Sequence, residues 1–99
     1  MLVFDHTWSS AATTGGQTPV VMNGQDANSW RVFARASTGS VTTAAIQIAE
    51  SSAGPWVSVV STSVSTTAPS VMDFVGPLFG QVRAYSGSTG ATIRLVGVD

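Results

Sequence analysis

One domain is all that ninety-nine residues and 10.1 kDa allow. Only 9% of the residues are charged, the four cations are all arginines and the net charge is −1, so the chain has neither the basic stripe of a nucleic-acid binder nor the polybasic patch of a membrane-surface protein. An apolar content of 43% excludes a disordered chain, and without cysteine there is no disulfide framework or thiolate metal site.

Strand signals run through the whole sequence. Fourteen valines stand against three leucines, and β-branched residues favour extended backbone. Glycines, prolines and Ser/Thr clusters cut the chain every 8 to 12 residues or so, the punctuation of a sandwich or barrel. No segment carries a helical stripe, and no apolar run approaches the roughly 18 residues of a spanning helix. Met1-Leu2-Val3-Phe4-Asp5-His6 has no basic region or apolar stretch, so no signal peptide is expected.

In chain order, the first predicted strand covers Leu2 to Trp8, with Leu2, Phe4, His6 and Trp8 on one face. A loop through Gly15-Gly16 leads to a short strand at Pro19 to Met22, and Asn23-Gly24 is a turn signal. In the strand Trp30 to Ala36, Trp30, Val32, Ala34 and Ala36 alternate with Arg31, Phe33 and Arg35. Thr38-Gly39-Ser40 turns into Val41 to Ala49, where Ile46 and Ile48 share a face. Ser51-Ser52-Ala53-Gly54-Pro55 is a turn, Trp56 to Ser61 and Ser70 to Val75 follow as strands, and Gly76-Pro77 breaks the chain. Phe79 to Ser86 and Ala91 to Val98 read as a closing hairpin.

Pairing Val82 with Leu95 and Ala84 with Ile93 puts the apolar set of that hairpin on one face. It also opposes Arg83 to Arg94, which requires a carboxylate, a carbonyl or a partner chain beside them. Arg35-Ala36-Ser37-Thr38-Gly39-Ser40 is echoed by Arg83-Ala84-Tyr85-Ser86-Gly87-Ser88. The echo is short and sits in a Ser/Gly-rich background, where coincidence accounts for it more readily than two similar hairpins at equivalent places in two packed sheets. The expected fold is all-β, an antiparallel two-layer β-sandwich of jelly-roll type with about eight strands. Its core is expected to hold Trp30, Val32, Ile46, Ile48, Val82, Ala84, Ile93 and Leu95. Residues 29–99 form the sandwich core, and residues 1–28, an N-terminal strand with loops, complete the domain.

Catalysis finds little to work with. His6, the single histidine, is next to Asp5, but strand neighbours point to opposite faces, and a partly buried strand histidine is the expectation. The five acids are scattered along the chain, no Gly-x-Ser-x-Gly elbow or phosphate-binding glycine loop occurs, and lysine is absent. No catalytic, cofactor or metal residues are assigned, and no enzyme is expected. Trp8, Trp30 and Trp56 with Tyr85 are the material for a sugar-stacking platform. Trp30 shares its face with Val32 and Ala34, which points to burial; Trp8 is the freest of the three.

Three segments carry a resemblance. Glu50-Ser51-Ser52-Ala53-Gly54-Pro55-Trp56-Val57 resembles the strand, Ser-x-x-Gly-x-Trp, strand element of small β-sandwich virion proteins of tailed bacteriophages. Gly76-Pro77-Leu78-Phe79-Gly80-Gln81-Val82-Arg83-Ala84 resembles their Gly-Pro-aromatic strand entry, and Ser88-Thr89-Gly90-Ala91-Thr92-Ile93-Arg94-Leu95-Val96-Gly97 their closing strand. The similarity covers roughly Ala44 to Asp99. The usual Asp-Gly turn before the tryptophan is Ala53-Gly54-Pro55 here, which speaks against a metal at that turn. The resemblance implies a virion structural protein without choosing which. A lysine-free, charge-poor, Ser/Thr-rich β-domain suits repeated packing on a shell, so the expectation is a capsid decoration (cement) protein that binds the major capsid protein, made in the host bacterial cytoplasm and sited on the capsid surface. A tail or head–tail connector component and a carbohydrate-binding module of a host-recognition structure are the alternatives.

Composition points to association as well. Fourteen serines and twelve threonines make a wet, nearly neutral surface, and near-zero net charge promotes self-association. A homotrimer or another cyclic oligomer is expected, with neither nucleic acid nor membrane as partner. The apolar N-terminal groups Leu2, Phe4 and Trp8 look surplus to a core drawn from residues 29–98 and are expected to form an attachment arm. Arg83 and Arg94 complete the expected partner-binding residues.

Overall fold

The computed structural model describes residues 2–9, 15–23 and 27–99. They form a two-layer antiparallel β-sandwich of nine strands: β1 (Leu2–Ser9), β2 (Gly15–Gly16), β3 (Val20–Asn23), β4 (Ser29–Ala36), β5 (Thr42–Ala49), β6 (Val57–Val64), β7 (Ser70–Val75), β8 (Phe79–Ser86) and β9 (Ala91–Val98). The expected strands are present within a few residues at each end, and the ninth is the two-residue Gly15–Gly16 strand, expected as loop. Gly24 of the expected Asn23-Gly24 turn lies outside the described residues.

One sheet runs β1-β9-β4-β7 and the other β2-β8-β5-β6, with β3 also on the β2 side of β8. Gly15 and Gly16 pair with Ser86 and Tyr85, while Val20 to Asn23 pair with Val82 to Phe79. Pro19, which has no N–H to give a ladder, falls in the interval between these two short strands. Apart from the extra β2, the two sheets correspond in strand order. β9 and β4 at the centre of one match β5 and β8 at the centre of the other, and β1, β7 match β6, β3 at the edges.

This correspondence corrects both expected hairpins. β4 and β5 lie in opposite sheets, as do β8 and β9, so the turns after Ala36 and Ser86 are crossovers between layers. Val82 pairs with Ile48 and Leu95 with Val32, not with each other. Alternation alone does not separate the two cases. Strands beside each other and strands facing each other both aim their apolar set at the same interior. The Arg35 and Arg83 segments both lead into crossovers between the layers, not into hairpins.

The crossovers are stitched together. Ser37 N donates to Gly90 O at 2.9 Å and Gly87 N to Thr43 O at 2.9 Å. Thr42 is the hub: its buried hydroxyl accepts from Ser88 N and Thr89 N at 3.0 and 3.2 Å and is 3.2 Å from the carbonyl of Thr89, to which it donates. Small residues crowd this end of the core, with Ala36, Ala44, Ala84 and Ala91 all buried.

Large residues fill the rest. Trp30, Val32, Ile46, Val82, Ala84, Ile93 and Leu95 are buried as expected, and Ile48 is half-buried against the core. Trp8, Met22 and Ala27 are also core residues. The expectation that residues 29–98 suffice is thereby corrected: the N-terminal third supplies one wall. Trp8 is 4% exposed, and its indole N–H donates to Thr18 O at 2.8 Å.

Candidate functional site

Rows across the first sheet place its outward side chains. Leu2, Val98, Ser29 and Val75 form one row; Asp5, Val96, Arg31 and Asp73 the next; then Thr7, Arg94, Phe33 and Val71; then Ser9, Thr92 and Arg35. The register shift between Leu2 and Phe4 turns Leu2 outward while Phe4, His6 and Trp8 remain inward. This separates Leu2 from the shared face expected for it.

The face combines exposed apolar groups with charges that are mostly neutralised in place. Phe33, Val71, Val75 and Leu2 are exposed at 40%, 54%, 82% and 55%. Arg31 donates from Nε and Nη2 to both Asp73 oxygens at 2.8 and 3.1 Å, and Arg94 does the same to Asp5 at 2.8 and 2.6 Å. Both pairs are bidentate, the geometry in which a guanidinium matches a carboxylate. These hydrogen bonds hold the Asp5 and Asp73 carboxyls below the usual aspartate range. Arg94 also lies over the Phe33 ring, 6.0 Å from its centroid. Arg35 is the cation of this face that makes no ion pair among the described residues. Phe33 stands as a ridge between two shallow depressions of about 420 and 490 Å³, one bordered by Val71 and Arg35, the other by Val75, Val96 and Val98.

The outer face of the second sheet has a different chemistry. The guanidinium of Arg83 lies over the Trp56 ring at 4.1 Å, and its Nε donates to Gln47 Oε1 at 2.8 Å. Gly16 makes room for it, since a Cβ there would collide with the guanidinium. Burial lowers the Arg83 pKa from its ordinary value. Thus Arg94 has a carboxylate and Arg83 an amide oxygen, as an opposed pair would have needed, but they stand on opposite faces of the sandwich.

Of the five expected partner-binding residues, Leu2 and Arg94 share the outer face of the first sheet. Arg83 is across the molecule, Phe4 is partly buried with its ring edge-on to Trp30 at 5.7 Å, and Trp8 is in the core. An N-terminal arm built on Phe4 and Trp8 is therefore not what the structure presents: both face inward from a strand paired along β9. Phe33, Val71 and Val75 were not singled out from the sequence. Their signal is an apolar residue out of phase in an alternating strand, as Phe33 is between Arg31 and Arg35. The tryptophans make no joint platform, because Trp8 and Trp30 are buried and Trp56 is covered by Arg83. His6 is partly buried, edge-on to Trp8 at 4.5 Å, and among the described residues no cluster of His, Asp or Glu is placed to hold a metal.

No family model matches the chain, and no curated protein matches it in sequence. Among solved structures it is similar to a chain of the Bacillus endospore appendages, described as a novel family of disulfide-linked pili, with 16% identity over 95% of this chain and 81% of that one and a TM-score of 0.40. It is also similar to the N-terminal cellulose-binding domain of Cellulomonas fimi β-1,4-glucanase C, with 17% identity, a TM-score of 0.38, and coverage of 93% of this chain and 64% of that chain's length.

Proposed function

We propose that the chain is a non-enzymatic structural protein of a tailed-phage virion, a capsid decoration protein that docks on the major capsid protein through the outer face of the β1-β9-β4-β7 sheet. The observation that carries this reading is the Phe33, Val71, Val75 and Leu2 surface with its charges paired in place. Ion pairs already formed within the face leave few charges to desolvate without a partner when it is covered. Phe33 and Val71 on one side and Leu2 and Val75 on the other flank the ion-paired row of Asp5, Val96, Arg31 and Asp73, and large apolar side chains exposed on one sheet face favour an interaction site. A standard interface takes about 800 Å² from each partner, roughly one-sixth of the 5089 Å² surface of this chain. The resemblance of residues 44–99 to small phage virion proteins favours a virion part, and the lysine-free, charge-poor, Ser/Thr-rich composition suits repeated packing on a shell.

Imaging of purified particles tests the proposal. Density for this chain repeated at the capsomers of the shell supports it. Density confined to the tail or portal vertex selects the tail or connector alternative instead, and absence from the particle overturns both.

A further inference from the structure

The edges of the sandwich differ in how strongly they discourage pairing with another chain. Charges, prolines, bulges and short length are the usual means. β1 carries Asp5 and a register shift near its start. β7 has six residues, is preceded by Pro69 and carries Asp73. The β2 and β3 edge is two short pieces with Pro19 in the interval. β6 differs: eight residues, Val57-Ser58-Val59-Val60-Ser61-Thr62-Ser63-Val64, with no charge and no proline. Its one irregularity lies between the pairs Ile46–Val60 and Gln47–Ser58, which leaves Val60 to Val64 in regular register with β5. Among the described residues, no strand pairs with the outer side of β6.

We propose that β6 is a self-pairing edge, joining two copies of this chain antiparallel through Val60 to Val64 across a two-fold axis at Thr62. The inference does not rest on the docking reading above. A second copy is the fitting occupant because the segment is complementary to itself. With Thr62 on the axis, Val60 faces the partner's Val64, Ser61 faces the partner's Ser63 and Thr62 faces its own copy. Opposing residues lie on one face, so inward Val and Thr meet inward Val and Thr, and outward Ser meets outward Ser. Cross-strand Thr–Thr and Ser–Ser pairs are favourable, and no like charges are brought into opposition. β1 and β7 instead carry the ion-paired aspartates Asp5 and Asp73, which a second copy of either edge would have to accommodate. Val60 and Thr62 face the interior yet are only half-buried, and among the described residues no strand pairs beyond them; a second β6 covers both. The union runs the two second sheets into one sheet spanning two copies.

Single-cysteine variants of the full chain, which has no cysteine of its own, test the geometry. Under mild oxidation Thr62→Cys is expected to form a disulfide-linked dimer, because only a residue on the axis meets itself, while Val71→Cys on β7 stays unlinked. Sedimentation of the unmodified chain across the micromolar range is expected to show a monomer–dimer equilibrium. Ser61→Lys with Ser63→Lys, outward and exposed in the single chain, opposes lysine to lysine in the dimer and is expected to weaken it roughly tenfold, equivalent to about 1.4 kcal/mol. A chain that is monomeric throughout overturns the proposal. So does a Val71→Cys variant that links as fast as Thr62→Cys, or a folded double-lysine variant that dimerises unchanged.

Discussion

Gly97 is the floor on which Trp30 rests. The two are partners across the β4–β9 ladder, and Phe4 pairs with Gly97 from the β1 side. Without a side chain at Gly97, the Phe4 and Trp30 rings reach each other across β9, and Trp30 stacks on Phe74 beyond at 6.2 Å. A Cβ at Gly97 would lie 2.6 Å from the six-membered ring of Trp30 and 2.9 Å from Ala27 Cβ. Trp30 cannot retreat easily, since it is buried and its indole N–H is bonded to Gly76 O at 2.8 Å. Gly97→Ala is expected to cost about 1–3 kcal/mol, the usual cost of overpacking, read by denaturant unfolding. An unchanged midpoint would show that the aromatic row is looser than this.

Thr42 separates a hydrogen-bonding role from packing. Thr42→Val keeps the shape but leaves the amides of Ser88 and Thr89 without their acceptor, an expected loss of about 1–3 kcal/mol. Thr42→Ser retains the hydroxyl and is expected to lose less. If valine proves the milder substitution, the hydroxyl is not what joins the crossovers.

Removal of residues 1–8 takes away most of β1, including Trp8, and uncovers β9. The truncated chain is expected to unfold or precipitate. Trp8→Ala alone is expected to cost about 3–5 kcal/mol. A truncation that keeps its β circular dichroism and its cooperative melt would restore the idea of a detachable arm.

Acid should loosen the first sheet from its outer side. Hydrogen bonds from Arg94 and Arg31 depress the Asp5 and Asp73 pKa values in the folded chain. Their contribution is therefore complete above the unfolded aspartate value of about 3.9 and is lost as the pH falls through the depressed folded values. Both pairs are exposed, so the effect is small and weakens with salt. Carboxyl NMR is expected to show Asp5 and Asp73 titrating below ordinary aspartate, with Asp73 returning towards it in Arg31→Gln. Ordinary titration in the unmodified chain would contradict the pairing.

Much of the fold was legible because period-two alternation records which side faces the interior. Trp30, Val32 and Ala34 against Arg31, Phe33 and Arg35 located β4 and its buried face. What alternation does not record is the neighbour. β8 and β9 obey the same pattern in one hairpin or in two sheets, so the Arg83–Arg94 opposition was an error of topology, not of facing. The register shift after Leu2 was equally hidden, because a bulge changes phase without any special residue. The candidate face was the least legible part. Asp5 and Arg94 are far apart in sequence, and only the β1–β9 pairing brings them together.

The most direct test is a co-sedimentation measurement on virion shells lacking the endogenous protein. It compares the unmodified chain with a Phe33→Ser, Val71→Ser variant. Both side chains are exposed, so circular dichroism should be unchanged. Docking through this face buries both, at about 1.5–3 kcal/mol for a fully buried large apolar side chain, so the variant is expected to lose particle occupancy roughly tenfold or more at matched concentration. Equal occupancy for a folded variant, or no binding by the unmodified chain, would contradict the docking face.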